Sequence, residues 1–445
     1  MMFGKHHEFL AVGLAAVATE VAAGATPPGA TSSCRVLPGD ADWPTTIGGR
    51  LIETVPRESL CHDAPYNRYD AAACAKLQET FDFPTLARYE RSLPELHRYY
   101  HAAANNGWGH SMDVPGKFMD MSFKNYSCDP FAPRLEPCSL GDHASYVINT
   151  RHTKDIQAAL ESTRTGALSL LTHHLKLTQF IPAYASSHYT GPAIKLGAGV
   201  QGFEAYAAAN ATGHRIVGGS CPTVGIAGGY SQGGGHSILS SRHGFNSDNH
   251  LVATPDQHAD LYWALSGGGP GKYAVVLSMT ARVHSDGLIS GGTLAFNDSQ
   301  VGNAAFWVAI GAFHALLPDF SDGGNSFVYG LTAGAFNAWT VTMPGAGPDD
   351  EAPALMKPFL DDLAWRGARP TPCPRCRLCW TPPQGLGRAP MYGANYEALL
   401  AVKRKYDPES ELYVLDGVGS DAWVEAADKR LCRAASVTSG GSWYS

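Results

Sequence analysis

The sequence predicts an α+β protein with two main domains behind a cysteine-braced N-terminal segment. Three observations carry this expectation. Strand-like and helix-like runs alternate from Tyr146 onward, which indicates an α/β domain, and a second strand, helix, strand, helix series after Asp286 suggests an α+β one. Between Cys34 and Leu140 the chain is instead rich in Pro, Cys and aromatic residues, with little sustained periodicity. At 445 residues, 44% of them hydrophobic, the chain has enough core for two or three domains of roughly 100 to 200 residues.

Residues 1–23 open with Lys5, then an apolar run from Phe9 to Ala18, then small residues at Ala22, Ala23 and Ala25. That is the outline of a secretory signal peptide, and the run is short of the roughly 20 residues needed to span a bilayer. Glu8 and Glu20 on either side of the run are unusual for a leader, and a buried amphipathic helix is the competing reading. No other uninterrupted apolar run approaches spanning length, so no membrane partner is expected. Forty acidic against thirty-three basic residues give a net charge of −7 without a long Lys/Arg cluster. Nucleic acid and anionic membrane surfaces are therefore excluded as expected partners.

Ten cysteines suit an oxidising compartment. In the segment 24–140, Cys61 with Cys74 and Cys128 with Cys138 are close enough to close small loops, although spacing leaves the pairing open. The sequons at Asn125, Asn210 and Asn297 would be surface glycosylation sites in an exported chain. A helix-like patch covers Tyr69 to Glu79. Beyond it, "YVINT" reads as a strand, "DIQAALES" as a helix, "AIKLGAGV" as a strand, "QGFEAYAAAN" as a helix and "HRIVGG" as a strand. In "DLYWALSGGGPGKYAVV" a short helix runs into four glycines broken by Pro270, and a strand follows. The second domain contributes "GGTLAFND", the apolar stretch Ala304 to Leu317, two strand-like runs in "NSFVYGLTAGAFNAWTVTMPG", and the helix "DDEAPALMKPFLDDL". Periodicity stops from Trp365 to Pro390, then "YEALLAVKRKYDP" resumes as a helix closed by Pro408.

Several motifs compete for a function. Gly197, Gly199 and Gly202 form a G-x-G-x-x-G after a strand and before a helix, as in a dinucleotide fingerprint. Such a site also needs an acid about 20 residues on for the ribose, and between Phe203 and Ser247 the only one is Glu204. A tight strand-to-helix turn is the preferred reading. Cys373, Cys376 and Cys379 have metal-ligand spacing but no obvious fourth ligand. In an exported chain they are more readily oxidised or idle, and no metal site is assigned. His173 and His174, adjacent on a presumed strand, would face opposite ways and cannot chelate together.

The stretch "GGSCPTVGIAGGYSQGGGHS", Gly218 to Ser237, carries better chemistry. Its glycines let backbone N–H groups close on a ligand, which suits a pyrophosphate or a polar ring edge. Cys221 would lie against whatever the loop holds; a small buried cysteine in a Gly-rich turn is the bland alternative.

With "DLYWALSGGGPGKYAVV" and "YGANYEALLAVKRKYDP", this stretch resembles the secreted FAD-linked oxidases of the berberine bridge enzyme-like group, within the vanillyl-alcohol oxidase superfamily. "CRVLPGDADWP", "SCDPF" and the run from "LSLLTHHLK" resemble fungal members, so the similarity covers most of the chain in separated blocks. The resemblance implies an α+β fold with a two-subdomain, PCMH-type FAD-binding domain over 141–285, here incomplete. A truncated substrate domain with an antiparallel sheet over 286–390 and a C-terminal return to the FAD domain over 391–432 complete it.

By the same resemblance, Cys221 matches the cysteine that in many members bonds to carbon 6 of the isoalloxazine. Pro222, Thr223, Val224 and His236 share its wall. Gly225, Gly228, Gly229, Gly233, Gly234 and Gly235 match the backbone that wraps the cofactor. Gly267 and Gly268, with Val275, match a second contact loop, and Asn395 and Tyr396 match residues near the ring. The implied activity is that of an oxidase transferring a hydride from an alcohol or amine carbon to FAD, with reoxidation by O2 to hydrogen peroxide. A small-molecule substrate and a secreted monomer complete the expectation. Sugars, alkaloid amines and benzylic alcohols all remain open as substrates.

The chain also departs from the family. No Gly-His occurs between Thr150 and Leu170, where members carry the histidine that bonds the flavin's 8-methyl carbon and a pyrophosphate-binding loop. The strand before that loop is missing as well. A strand pair is missing after "SSRHGFNSDN", and residues 97–117 look like an insertion. The substrate sheet after "MKPFLDDL" gives way to "AWRGARPTPCPRCRLCWTPPQGLGRAP". That region ordinarily supplies the general base, so no catalytic residue is assigned. The alternative function is accordingly a non-catalytic or aberrantly spliced remnant that binds little or no flavin.

Overall fold

The computed structural model describes residues 9–12, 34–37, 40–41, 43, 51–53, 55, 57–81, 128, 130–138, 146–152, 154–156, 168–219, 224–243, 253, 256–344, 352–365, 392–413, 417–426 and 431–434. Its strands are Phe9–Val12 (β1), Leu51–Glu53 (β2), Tyr146–Asn149 (β3), Leu168–Leu171 (β4), Thr178–Ala185 (β5), Thr190–Gly197 (β6), Val275–Arg282 (β7), Ile289–Asn297 (β8), Ser326–Leu331 (β9) and Ala335–Pro344 (β10). Six helices organise them: Ala71–Phe81 (α1), Gly202–Asn210 (α2), Ala259–Leu265 (α3), Asn303–Asp322 (α4), Ala352–Trp365 (α5) and Tyr396–Tyr406 (α6).

Three larger sheets result among the described residues, beside two short two-stranded pairs, His214–Arg215 with His284–Ser285 and Trp423–Glu425 with Leu431–Arg433. The first has the order β2-β3-β4, β3 and β4 running parallel in the register Tyr146 with Leu168 to Asn149 with Leu171. β4 thus seats directly against β3. The second is antiparallel in the order β1-β7-β6-β5, and packs its apolar face on α2, α3 and α6. Ile194, Leu196, Val276, Met279, Leu261, Leu265, Leu399 and Val402 form this core. β1 comes from the run read as a leader, and pairs antiparallel along β7 from Phe9 with Met279 to Val12 with Val275.

The third sheet, β8-β10-β9, is also antiparallel and is backed by α4 and α5. α4 buries Phe306, Ala309, Ile310, Phe313 and Phe320, the recurrence at three and four residues that lines one helix face. Phe313 meets Phe336 edge-on at 4.7 Å and Phe320 stacks on Phe327 at 4.1 Å. This helix corrects one expectation: over 20 residues its mean hydropathy reaches 1.3, enough by length and composition to cross a membrane. Its phenylalanine stripe packs on the sheet, while Trp307 and Val308 on the same helix are exposed and 28% of its apolar window is buried.

Two small disulfide loops form as their spacing allowed, Cys61 with Cys74 and Cys128 with Cys138. A third bond, Cys34 with Cys432, joins residues 398 apart and ties the N-terminal segment to the C-terminal return. Beside it, Trp423 lies between two guanidinium groups, Arg35 at 4.5 Å and Arg433 at 4.2 Å. Such cation–π contacts replace part of the hydration that burial removes from Arg35.

"HRIVGG" holds a strand only at His214 and Arg215, which pair with His284 and Ser285. β5 has no counterpart among the strands read from the sequence, and it carries Pro182 in its interior. The structure accommodates it at the sheet edge, where the register shifts between Ile181 and Tyr184. Of "DIQAALES", only Asp155 and Ile156 lie within the described residues, and the insertion at 97–117 lies outside them.

Candidate functional site

The glycines divide into those that serve the fold and those that leave space. At Gly197 a Cβ would come 2.1 Å from the Leu175 carbonyl oxygen, and at Gly199 2.2 Å from that of His173. Both are glycine because another strand of backbone crosses there, and no room remains for a ligand. Glu204, the one acid available to a ribose, instead closes the capping box of α2 by accepting from Gln201 N–H at 2.9 Å and pairs with Lys176 at 2.6 Å. The G-x-G-x-x-G is a turn. His173 and His174 fall on a short 3-10 turn rather than a strand, their rings edge-on at 5.4 Å.

The second group is different. After Val224 and Gly225 the chain makes a π-helical turn, Ile226–Tyr230, in which Tyr230 N–H reaches back to Gly225 O at 3.0 Å. This wide turn is fixed by the bridge between Gln201 and Gly225 and by the buried side chains of Ile226, Ala227 and Tyr230. Burial pushes the Tyr230 phenol up to about 12, with Ser240 opposing part of the shift. Gly228 therefore points outward, and a Cβ there would meet no atom within 4 Å. Gly229 faces Val224, whose side chain is 2.9 Å from a Cβ built there.

The turn continues through Gly233, Gly234 and Gly235. Gly234 takes φ +71° and Gly267 φ +114°, values that L side chains rarely adopt. These two backbones touch: a Cβ on Gly234 would lie 3.5 Å from Gly267 Cα. Gly269 N–H donates to Gln232 O at 2.9 Å, locking the two loops together. Gly268 sits beneath them, where a Cβ would strike the Ala264 carbonyl at 2.4 Å. His236 is exposed beside this junction, and Val275 is buried in a small cluster with Ile156.

The C-terminal return meets the same junction. Asn395 is exposed at the start of α6, and the half-buried Tyr396 accepts from Gly419 N–H at 3.4 Å. Tyr392, one turn earlier, lies 6.1 Å from the Tyr396 ring and bonds Lys272 Nζ. Lys403 on α6 is buried with Asp407 at 2.6 Å and donates to Lys272 O and Leu412 O. Lys405 and Tyr406 hold Asp260 of α3 at 2.6 and 2.9 Å. Sequence reasoning missed Lys272 and Tyr392; the signal available was a lone lysine in the glycine run "GGGPGKY".

Cys221, Pro222 and Thr223 lie outside the described residues, as do Cys373, Cys376 and Cys379. Among the described residues no group of three or more His, Cys, Asp or Glu side chains could hold a metal ion. The blocks expected to hold a flavin are thus brought together over Gly225–Gly235, Gly267–Gly269 and Tyr392–Tyr396. The open face at Gly228 fits such a group, because a side chain there would fill the space a planar ring or phosphate needs.

No protein-family profile matches the chain. It is 45% identical to the VAO-type flavoprotein oxidase VAO615 of Thermothelomyces thermophilus, over 91% of this chain and 75% of that protein. It is 46% identical to the FAD-linked oxidoreductase sthB of Phaeosphaeria nodorum, over 55% of this chain and 88% of that one. Against the bifunctional decalin synthase calF of Penicillium decumbens the identity is 38%, and the chain spans 62% of that protein's length. The crystal structure of the VAO-type flavoprotein MtVAO615 from Myceliophthora thermophila C1 superimposes with a TM-score of 0.74 at 37% identity, over 90% of this chain. That of MtVAO713, from the same source, gives 0.65 at 19% identity and shares the fold.

Proposed function

Because the chain belongs to the VAO-type FAD-linked flavoprotein oxidases, oxidoreductases whose cofactor is FAD, we propose that it is an exported oxidase of the berberine bridge enzyme-like kind. Its substrate in this reading is a small alcohol or amine, and O2 is the final acceptor, giving hydrogen peroxide. Bound FAD would supply a hydride-accepting ring; the protein supplies position, exclusion of water and local charge.

Gly225, Gly228 and Gly229 would form one wall of the site, with Val224 behind Gly229 and His236 at the rim. Gly233 to Gly235 and Gly267 with Gly268 would close its floor, while Asn395 and Tyr396 approach from the C-terminal return. Cys221, in a thioether to the ring, would fix the cofactor and draw electron density from it. Its neighbours Pro222 and Thr223 belong to the same wall. The enzyme is proposed to act as a monomer.

One observation carries this assignment: the glycine loop that leaves Gly228 open also meets a second loop at the Gly234–Gly267 contact, two blocks far apart in sequence. The test compares Gly228→Leu with wild type for bound flavin after purification. Leucine meets no neighbour within 4 Å of its Cβ, so the variant should fold, with an unchanged melting temperature, and emerge colourless. A variant as yellow as wild type would remove Gly228 from the site.

A second reading is favoured by β4 lying directly on β3, without the Gly-His loop that members carry between them. In that reading the chain is a remnant without turnover. It predicts wild-type protein that folds but carries no flavin and releases no peroxide on any alcohol or amine.

A further inference from the structure

The glycine junction carries a buried positive charge that the function proposed above does not use. Lys272 is only 7% exposed. Its ammonium is bonded to the Tyr392 hydroxyl and lies 4.8 Å from the centre of that ring. No carboxylate reaches it among the described residues; the acids at this end of the domain are taken by Lys403, with Asp407, and Lys405, with Asp260.

Lys403 shows what a structural buried lysine looks like, its three protons going to a carboxylate and two carbonyls. Lys272 has a single neutral phenol, and the charge of Lys403 bears against it. An ammonium removed from water and left so poorly paired is costly, unless a negative group arrives. Its place says which group. The side chain runs over Gly269, where a Cβ would stand 2.6 Å from Nζ. Gly269 in turn bonds Gln232, and Tyr392 packs on Tyr396. Lys272 therefore stands where the three blocks proposed to hold the flavin meet.

We propose that Lys272 supplies the positive charge that balances the negative charge left on the cofactor by hydride transfer, with Tyr392 holding the ammonium in position. The proposal rests on the flavin-oxidase reading. In that reaction two electrons and one proton pass as hydride from the substrate carbon, and the substrate's hydroxyl or amine proton goes to solvent. The cofactor gains one negative charge. O2 then takes the two electrons, the transferred proton and one proton from solvent to form hydrogen peroxide. Lys272 stays protonated and transfers nothing.

The experiment is a dye-equilibrated reductive titration of the full-length FAD-loaded protein at neutral pH, comparing wild type, Lys272→Met and Lys272→Arg. The methionine variant should bind FAD in the same stoichiometry while its midpoint potential falls by about 30 mV or more, a tenfold loss of preference for the reduced form. The arginine variant, which keeps the charge, should stay with wild type. Equal potentials in wild type and Lys272→Met overturn the proposal, because a purely structural lysine would alter stability and leave the potential alone.

Should Lys272→Met fail to fold, wild type and Lys272→Arg decide by titration across alkaline pH. The titratable groups facing Lys272 are Tyr392 and Lys403. Burial and Lys403 push Lys272 down to about 8, so the wild-type potential should break there and the arginine variant's should not. No such break overturns the proposal. A wild-type protein that binds no FAD takes down the flavin-oxidase reading, a result distinct from yellow protein with an insensitive potential.

Discussion

Replacing Lys403 with methionine should be among the most damaging single changes outside the glycine loops. Lys403 Nζ donates to Asp407 Oδ2 at 2.6 Å, Leu412 O at 2.7 Å and Lys272 O at 3.0 Å. The Asp407 side chain is 0% exposed and also accepts from Glu411 and Leu412 N–H at 2.7 and 3.0 Å. Methionine would keep most of the aliphatic stem but strand a fully buried carboxylate and two carbonyls. Breaking a buried pair from one side costs about 3 to 5 kcal/mol, about a fifth or more of the roughly 5 to 15 kcal/mol that holds a domain folded.

Because this knot fastens α6 and the 407–413 turn to the loop bearing Lys272, FAD affinity should fall with stability. Urea unfolding followed by tryptophan fluorescence measures the first effect, and with a slope near 3 kcal/mol/M the midpoint should drop by about 1 to 1.7 M. The double variant Lys403→Met with Asp407→Leu should recover much of the loss, since an apolar pair of similar volume often replaces a buried ion pair without penalty. A single variant within about 1 kcal/mol of wild type would refute the idea that this pair anchors the C-terminal return.

Four other outcomes follow from the structure. Cys34→Ser with Cys432→Ser opens a cross-link between residues 398 apart and should cost about 2 to 5 kcal/mol in the same unfolding assay. Gly199→Ala should destabilise by about 3 kcal/mol or more, because its Cβ would lie 2.2 Å from a carbonyl oxygen; little change in Tm would contradict the packing described. Acid precipitation of a yellow preparation should leave flavin on wild type and release it from Cys221→Ala. His284 is pushed down to about 3 by burial, then by His243, Arg282 and Arg215. Its folded value is below its unfolded one, so its contribution is fully present above about pH 6.5 and is lost as pH falls toward 3; in His284→Phe the unfolding midpoint should fall less steeply over that range.

What the sequence made legible was local. α6 could be read because Leu399, Val402 and Tyr406 recur on one face and Pro408 ends it. The sheet of the second domain could be read because Phe296, Phe327 and Phe336 lie in short apolar runs bounded by glycine and asparagine. β5 escaped because Pro182 sits inside it and five of its eight positions are exposed, so neither composition nor alternation marks an edge strand. The Cys34–Cys432 bond escaped because no spacing rule reaches across 398 residues. At the candidate site, the glycine blocks were visible from their motifs, but the role of each glycine was not. Gly199 and Gly228 look alike in sequence; only the path of neighbouring backbone shows that one is filled and the other open. Lys272 was invisible for a related reason, since the phenol that receives it lies 120 residues away.

The central claim is that the glycine junction of this chain holds FAD. The measurement that tests it most directly is the FAD content of purified full-length protein, from the visible flavin band and from nucleotide recovered after proteolysis. Equimolar FAD in wild type and a colourless, fully folded Gly228→Leu variant are predicted. Folded wild-type protein that carries no flavin, and takes up none from solution, would contradict it.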